Sequence, residues 1–242
     1  YNEQNSGSTF KQWIKGINAA KGEYIWLAES DDWAENDFLQ TLVEQLEQNS
    51  DAVLAFCLSN KIDENGEIIE KAKESNNIEI IDGEDFIRNE LTLTCNIGNA
   101  SMVLFKKSNF DRINHRLFEN MKYNGDWFVW SLMCETGMVM RVNKALNNFR
   151  IHKDSVTSNS EKQGLSLLEG FEVFYYNRKH ISSRIFISYL KAWIFYKWAN
   201  ISFSSKVNRI LFFHFLKRYP LVDFFWFYGK TGILWNKIKS KL

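Results

Sequence analysis

Proline is almost absent from this sequence, since Pro220 is the only one among its 242 residues. Accordingly, no proline-rich linker divides the chain, and we find neither an internal repeat nor a low-complexity segment. Cysteine is also scarce: Cys57, Cys95 and Cys134 are odd in number, widely spaced and surrounded by apolar residues. This pattern argues against a disulfide framework or a zinc cluster and favours a reducing cytoplasm.

A leader sequence and a long apolar run are missing as well. No charged-then-apolar leader begins the chain, which opens at Tyr1 in what resembles mid-domain sequence. We therefore expect a fragment of a longer protein, without a signal peptide. In residues 181–242 no run of about 18 apolar residues escapes interruption by Lys or Arg, which disfavours a membrane-spanning helix.

The composition that is present suits a globular domain of moderate size with an appendage, at 45% hydrophobic and 24% charged residues. The aromatic content of 16% is high. The charge is uneven, because residues 181–242 hold eleven Lys or Arg against one acid, Asp223, while the whole chain carries +1. Residues 1–180 therefore carry a net charge of −9, so the two parts are expected to have different partners.

Residues 1–157 alternate predicted helices and strands, which indicates a single α/β layer structure. The stretch "STFKQWIKGINAAKG" has apolar residues at i, i+3, i+4 and i+7, the spacing of an amphipathic helix that Gly22 would end. The next stretch, "EYIWLA", is short and apolar and predicts a strand buried by that helix. Later elements follow in order: a helix in "NDFLQTLVEQLEQ", a strand in "AVLAFCLS", a hairpin turn at Asn65 and Gly66, a helix in "DGEDFIRNEL", a strand in "ASMVLFKK", a helix in "GDWFVWSLMCETG" and one or two strands in "MVMRVNKALNNFRIH".

Beyond residue 160 the pattern changes to long helical stretches, so we divide the chain into a domain at 1–157 and a helical region at 158–242. The stretches are "KQGLSLLEGFEVFYYNRKH", "RIFISYLKAWIFYKWANIS" and "KVNRILFFHFLKRY". Residues 181–242 suit interfacial helices, in which aromatic rings settle at the headgroup boundary while Lys and Arg meet anionic lipid. Alternatively, these helices pack their aromatic residues on the first domain. No nucleic-acid partner is expected, because none of the recognisable binding modules is present.

Three acids, Glu29, Asp31 and Asp32, crowd together directly after the strand predicted in "EYIWLA". If that strand belongs to a mostly parallel sheet, the acids lie at its carboxyl end, where open α/β sheets bind ligands. Mg²⁺ or Mn²⁺ suits such a site, since these ions take one or two protein carboxylates and complete their shell with water and substrate phosphates. A sugar nucleotide or a nucleoside triphosphate would supply those phosphates. Alternatively, "SDD" caps a helix that begins near Glu35.

The stretch around these acids resembles a known family. "NSGSTFKQWIKGINAAKGEYIWLAESDDW" is similar to the segment of inverting family 2 glycosyltransferases, of GT-A fold, that contains N-x-G, a helix ending G-I-x-x-A-x-G-E-Y-I, and D-S-D-D. The resemblance implies that Asp31 faces the nucleotide ribose or the metal and that Asp32 binds the metal. Glu29 stands where the family has its first Asp. The further substrate contacts that the resemblance implies are Asn5, Gly7 and Lys15.

The stretch "YNGDWFVW" continues the resemblance in the right order. It looks like the family's E/N-D-W segment, whose Asp is the general base, so Asp126 is the implied base. A base must be a carboxylate within hydrogen-bond reach of the attacking hydroxyl. Trp127 would offer a flat apolar face to a sugar ring. Without the family context, Asp126 is equally well explained as a cap of the helix that follows.

Two more stretches resemble the family. "NNFRIHKDSVT" is similar to its closing R-x-H-x-x-S element, in which His152 would complete the metal or diphosphate site and Arg150 would steady negative charge. "GNASMVLFKKSNF" is also family-like, and there Asn99 or Ser101 would line the donor-sugar pocket. Read without the family, His152 is an ordinary histidine near a strand end, and Asn99 and Ser101 have a simple structural role.

The resemblance covers about residues 2–157 and implies an α/β domain of GT-A type, with a Rossmann-like mixed sheet flanked by helices and lacking its first strands. It implies inverting transfer of a sugar from a nucleotide-sugar donor to a glycan or lipid-linked acceptor in surface polysaccharide synthesis. Mg²⁺ or Mn²⁺ is the implied cofactor, and the expected location is cytoplasmic, peripheral at the inner face of the cell membrane. A metal-dependent nucleotidyltransferase and an inactive membrane-associated remnant remain open as alternatives.

Overall fold

The computed structural model describes residues 6–152, 165–184 and 186. The chain divides into two compact units, Tyr1–Ser155 and Val156–Leu242, and each is described by itself. The first unit contains the mixed sheet and every predicted site residue; one of these, Asn5, lies outside the described residues.

A mixed seven-stranded sheet forms the centre of the described part of the first unit. Its strands are β1 (Tyr24–Trp26), β2 (Trp33–Ala34), β3 (Ala52–Ile62), β4 (Ile68–Glu70), β5 (Ile78–Ile81), β6 (Val103–Lys106) and β7 (Met138–Arg150). The main path runs β1-β6-β3-β7-β2, with β4 paired to β3 and β5 to β7. Only β3 and β7 pair in parallel among the described strand pairs. The predicted α/β mixed sheet is thus confirmed.

The setting expected for the "EYIWLA" strand is wrong in one respect. That strand is β1, and it pairs antiparallel with β6 at one end of the sheet path rather than lying among parallel neighbours. The final segment was expected to form one or two strands, and it forms one, because β7 runs unbroken through 13 residues. Its pairing with β3 carries register shifts, which lets a single long strand follow a twisted sheet.

Two sequence patterns explain the core of this sheet: an apolar run in β3 and a periodic apolar face on the helix before it. Residues 52–57 of β3 are all buried, as expected for the uninterrupted sequence AVLAFC of a strand covered on both faces. The helix α2 (Phe38–Gln48) packs against β3 and buries Phe38, Leu42 and Leu46, which recur every fourth residue. Burying each of these side chains contributes about 1.5–3 kcal/mol to stability.

Two helices bring distant parts of the sequence together. The helix α1 (Thr9–Ala19) is capped by Ser8, whose hydroxyl accepts a hydrogen bond from the Phe10 amide at 3.2 Å and donates to the Met121 carbonyl at 2.8 Å. It ends three residues before the predicted stop at Gly22, because Ala20 adopts an extended conformation. Another helix, which spans Gly125–Cys134, begins against the Phe10 ring: a Cβ on Gly125 would lie 2.4 Å from that ring.

Short elements complete the first unit. The helix in "DGEDFIRNEL" is present as α3 (Gly83–Phe86) followed by a π-helical turn, Ile87–Leu91. The helix α4 (Lys107–Phe110) follows β6, and Gly125–Cys134 is α5. The hairpin turn between β3 and β4 is at the predicted position, and Gly66 there has a φ of +90°, a conformation that favours glycine.

The described part of the second unit is helical. The helix α6 (Leu165–Asn177) leads into a 3₁₀ turn, Arg178–His180. The predicted stretches after residue 186 lie outside the described residues, as does most of the basic and aromatic segment 181–242. Within the described ranges, no helix has both the length and the apolar character needed to cross a membrane.

Candidate functional site

The acidic residues lie in the loop between β1 and β2, which we call the acidic loop (residues 27–32). Hydrogen bonds to Ser101 hold this loop in position. The Ser101 hydroxyl accepts a hydrogen bond from the Glu29 amide at 3.0 Å, and its carbonyl accepts one from the Trp26 indole at 2.8 Å. Ser101 is buried, so in this structure it supports the loop from inside the domain rather than lining an open pocket.

Asp32 is tied down through both of its carboxylate oxygens. Oδ1 accepts a hydrogen bond from the Arg150 amide at 2.9 Å, and Oδ2 accepts one from Asn99 Nδ2 at 2.5 Å. The capping alternative is wrong, because α2 begins at Phe38 with Asp37 in the N-cap position. Asp32, predicted to bind metal, therefore fastens the acidic loop to the end of β7.

A polar layer that the sequence analysis missed lies beneath Asp32. The Oδ1 atom of Asn99 accepts hydrogen bonds from Asn147 Nδ2 at 3.3 Å and from the Ser59 hydroxyl at 3.4 Å. Asn147 also donates to Ser59 at 2.8 Å, is fully buried, and has no partner for its own Oδ1. The signal was available in the sequence, since two adjacent asparagines between the apolar residues Leu146 and Phe149 are costly to bury unless they are hydrogen-bonded.

Asp31 and His152 form the exposed part of the site. His152 Nε2 lies 2.9 Å from Asp31 Oδ2, and the two side chains are 41% and 44% exposed. The structure thus brings together two of the three residues predicted to bind metal. In the described residues, however, no three His, Cys, Asp or Glu side chains are grouped as a metal site.

Arg150 was predicted to steady negative charge on the substrate, and its contacts differ from that expectation. Its Nε donates to the Asp31 carbonyl at 3.0 Å, and one terminal nitrogen donates to the carbonyls of Asp63 and Glu64 at 2.7 and 2.8 Å. The guanidinium also lies 5.3 Å from the centre of the Trp33 ring. Arg150 therefore clamps the β3–β4 turn to the acidic loop.

The pKa of Glu29 is affected by desolvation and by the charges of all the other acids of the site. The pKa of its carboxyl is raised from 4.5 to about 7, and the largest cause is desolvation by the surrounding protein atoms, although part of the residue is exposed at the surface. The negative charges of Asp32, Asp126 and Asp31, in that order of size, contribute the rest of this increase. Asp126, almost 100 residues away in sequence, therefore lies close enough for its charge to act on the acidic loop.

Asp126 lies in the first turn of α5, two residues after Asn124 in the N-cap position. Its Oδ1 accepts a hydrogen bond from the Trp127 amide at 2.8 Å, and a negative charge there suits the helix dipole. The half-buried carboxylate thus has a local structural partner and also faces the charge of Glu29.

Trp127 is placed differently from the expectation of a sugar-stacking face. Only 5% of it is exposed, and its indole N–H donates to the Leu91 carbonyl at 2.7 Å. In this conformation the ring holds α5 against the π-helical turn and offers almost no surface to a sugar.

Gly7 and Lys15 lie near the start and in the middle of α1. Gly7, with a φ of +73°, is exposed directly before α1, and Lys15 is exposed in the middle of that helix. The start of α1 packs on the start of α5 through Phe10 and Gly125, so Gly7 and Asp126 lie on two helix starts that are packed together.

Comparison with known proteins adds to this geometry. Residues 1–113 match the model of Glycosyl transferase family 2. Among solved structures, that of S. aureus TarS residues 1–349 in complex with UDP-GlcNAc is similar with a TM-score of 0.54 and 12% identity, over 80% of this chain and 54% of that one. A second structure of S. aureus TarS 1–349 gives a TM-score of 0.47 and 13% identity, over 80% and 61%. No curated protein gives a significant match.

The chain spans about half the length of the TarS structure that it matches. The identity is low, so this likeness shows the fold alone. The chain is thus similar to glycosyltransferase family 2 over residues 1–113, and its mixed sheet has a GT-A-like fold.

Proposed function

We propose that this domain transfers a sugar from a nucleotide-sugar donor to a glycan or lipid-linked acceptor, with inversion at the anomeric carbon. One observation carries the proposal: the charges of Asp31, Asp32 and Asp126 all act on the Glu29 carboxyl, so acids from two distant stretches share one region. If these acids served only as helix caps, nothing would require the acids of two distant stretches to lie close together. Direct displacement needs one carboxylate base, and the family region supports this chemistry.

Asp126 is the proposed base, which takes the proton from the acceptor hydroxyl as that oxygen attacks. Its position in the first turn of α5 fixes the side chain on a rigid element, and the packing of Gly125 on Phe10 fixes that helix start. Glu29, whose pKa is about 7, is only partly ionised at neutral pH and so adds less negative charge to the region than a fully ionised carboxylate would.

Asp31 and His152 are the residues that would hold Mg²⁺ or Mn²⁺. Their side chains are exposed and already in contact; a carboxylate suits either ion, whereas an imidazole is a softer ligand and favours Mn²⁺ over Mg²⁺. Two protein ligands are enough, because these ions complete their shell with water and substrate phosphates. The ion, when bound, would neutralise negative charge on the departing nucleoside diphosphate. Asp32 would then orient the loop, since both of its oxygens already accept hydrogen bonds.

The first donor to assay is UDP-GlcNAc, the nucleotide sugar in the similar TarS structure. We further propose a role in surface polysaccharide synthesis at the cytoplasmic face of the membrane, with peripheral contact through residues 181–242. The excess of eleven basic residues over one acid in that segment supports attraction to anionic lipid.

The proposal is tested with isotope-labelled UDP-GlcNAc, Mn²⁺ and a panel of oligosaccharide and lipid-linked acceptors. The assay measures how much labelled sugar leaves the donor and appears on each acceptor. The Asp126→Asn variant should lose transfer while its affinity for UDP stays within about twofold, because the base acts on the acceptor. Asp111→Asn is the matched control, since Asp111 pairs with Lys107 on the surface. Turnover by the Asp126→Asn variant would remove Asp126 from the base role, and the absence of nucleotide binding by the wild-type chain would contradict the proposed function.

A further inference from the structure

Trp33 is the most exposed tryptophan in the part of the chain that the structure describes, at 40%. It directly follows Asp32 and begins β2. A single exposed apolar residue is ordinary in a folded protein, so exposure alone would mean little. The surroundings of this ring are what distinguish it.

The Trp33 ring is held in place from three sides. Its backbone pairs with Asn148 on β7, and the Arg150 guanidinium covers one face at 5.3 Å. Gly66, in the β3–β4 turn, lies against the tip of the ring, where a Cβ would be 3.2 Å from Cη2. Arg150 is itself fixed by three backbone carbonyls. Arg150 thus covers one face of the ring and Gly66 lies at its tip, while 40% of the residue is exposed.

A rigid, half-covered indole is suited to one kind of ligand. The ring has little freedom to lose on binding, so the area that it buries converts into affinity with a small entropy cost. Its flat face is apolar, and Asp31 is near, because its carbonyl accepts a hydrogen bond from the same Arg150 side chain that covers the ring. A flat apolar surface beside a hydrogen-bond acceptor matches a pyranose ring, which has an apolar C–H face and hydroxyl groups around its edge.

We infer that the free face of Trp33 is a subsite for a pyranose ring. The inference rests on the proposed function and adds a residue to it, because neither the family resemblance nor the acid cluster assigned a role to Trp33. It also moves the sugar-stacking role from Trp127, which is buried, to a tryptophan that is open to solvent. The sugar comes either from the donor or from the acceptor glycan, and the experiment separates the two.

The test observes the ring directly. The full chain is produced with 5-fluorotryptophan, and the fluorine resonance that disappears in Trp33→Phe is assigned to Trp33. Four probes are then added separately: UDP with Mn²⁺, UDP-GlcNAc with Mn²⁺, chitotriose and maltotriose. A shift of the Trp33 resonance with UDP-GlcNAc but not with UDP assigns the subsite to the donor sugar. A shift with either oligosaccharide in the absence of nucleotide assigns it to the acceptor.

A second experiment measures how tightly variants of Trp33 bind the sugars and UDP. Trp33→Ala should weaken binding of the sugar that shifts the resonance by about threefold to tenfold, whereas Trp33→Phe should retain most of it because a flat ring remains. UDP affinity should not change in either variant. Leu39→Ala is the control, since Leu39, on α2, is 45% exposed against 40% for Trp33. Circular dichroism confirms that each variant is folded.

Failure of this inference is distinguishable from failure of the proposed function. If UDP and UDP-GlcNAc bind but no sugar moves the Trp33 resonance, the subsite is refuted and the proposed function stands. If UDP alone moves it as much as UDP-GlcNAc does, the ring contacts the nucleotide and the subsite is likewise refuted. If nucleotides do not bind, the proposed function fails, and the oligosaccharide arm still decides whether Trp33 takes a sugar.

Discussion

His152 Nε2 lies 2.9 Å from Oδ2 of Asp31, and this contact joins the residues after β7 to the loop after β1. The two residues are 121 positions apart in sequence. Because both are exposed, the contact contributes little to stability and is available to be exchanged for a bound cation. The first prediction follows from this pair.

His152→Ala and Asp31→Asn should each weaken Mn²⁺-dependent binding of UDP by at least about tenfold, because each removes one of two proposed protein ligands. The melting temperature should change by less than about 2 °C, since the pair is exposed. Isothermal titration with and without Mn²⁺ measures the first effect and calorimetry the second. Asp37→Asn is the control, because Asp37 is an exposed acid at the N-cap of α2 whose side chain makes no capping bond. Unchanged Mn²⁺ dependence in both variants would show that the cation, if there is one, binds elsewhere.

Asp32, unlike the exposed pair of Asp31 and His152, should contribute substantially to the stability of the fold. Asp32→Ala leaves the Arg150 amide and the Asn99 amide group without their acceptor, and each lost partner costs about 1–3 kcal/mol. We expect a loss of about 2 kcal/mol or more in the free energy of unfolding, measured by urea denaturation. Asp31→Ala is the matched comparison and should cost less than about 1 kcal/mol. Equal costs for the two would mean that Asp32 does not anchor the loop.

Glu29 should make stability depend on pH. Its folded-state pKa of about 7 lies above the ordinary value of 4.5, so folding favours the protonated carboxyl. The stability that this provides is complete below pH 4.5 and is lost as the pH rises through about 7. Glu29→Gln should therefore flatten the decline of melting temperature between pH 4.5 and about pH 8 in buffer without divalent cations. If wild type and variant decline in parallel, Glu29 does not have the raised pKa.

Two glycines on packed helices should respond to alanine with opposite signs. Gly125→Ala places a methyl group 2.4 Å from the Phe10 ring, and such overpacking costs about 1–3 kcal/mol. At Gly16, in α1, a Cβ would have nothing within 4 Å. Gly16→Ala should therefore stabilise the protein by up to about 1 kcal/mol through helix propensity. Urea unfolding of both variants gives the comparison, and stabilisation by Gly125→Ala would show that the two helix starts are not in close contact.

Local patterns in the sequence were sufficient for most of the fold. The apolar run of residues 52–57 predicts a buried strand, and the pair Asn65 and Gly66 predicts a hairpin turn, because each depends on neighbouring residues alone. The direction of β1 relative to β6 was not predictable in this way. Strand pairing is decided by residues that are about 80 positions apart, and a three-residue strand carries no signal of its partner.

The site shows the same division between local and distant information. The family stretches indicated Glu29, Asp31 and Asp126, and the structure places them within reach of one another's charge. The internal hydrogen-bond partners of Asp32 and Arg150 were not predictable from the sequence, because they come from residues that only the folded chain brings close. The Asp32 carboxylate accepts hydrogen bonds from the Arg150 backbone amide and from the buried Asn99 side chain, so it anchors the loop, a role that its place in the motif does not indicate.

The amide hydrogen of Arg150 is directed at a side-chain carboxylate, although Arg150 belongs to a strand. Its exchange with deuterium therefore requires the acidic loop to detach, which makes it a reporter of loop opening that needs no label. A bound nucleotide that grips the loop would slow exchange at this one position, while the amides in the buried middle of β7 would exchange at the rate set by unfolding of the whole domain.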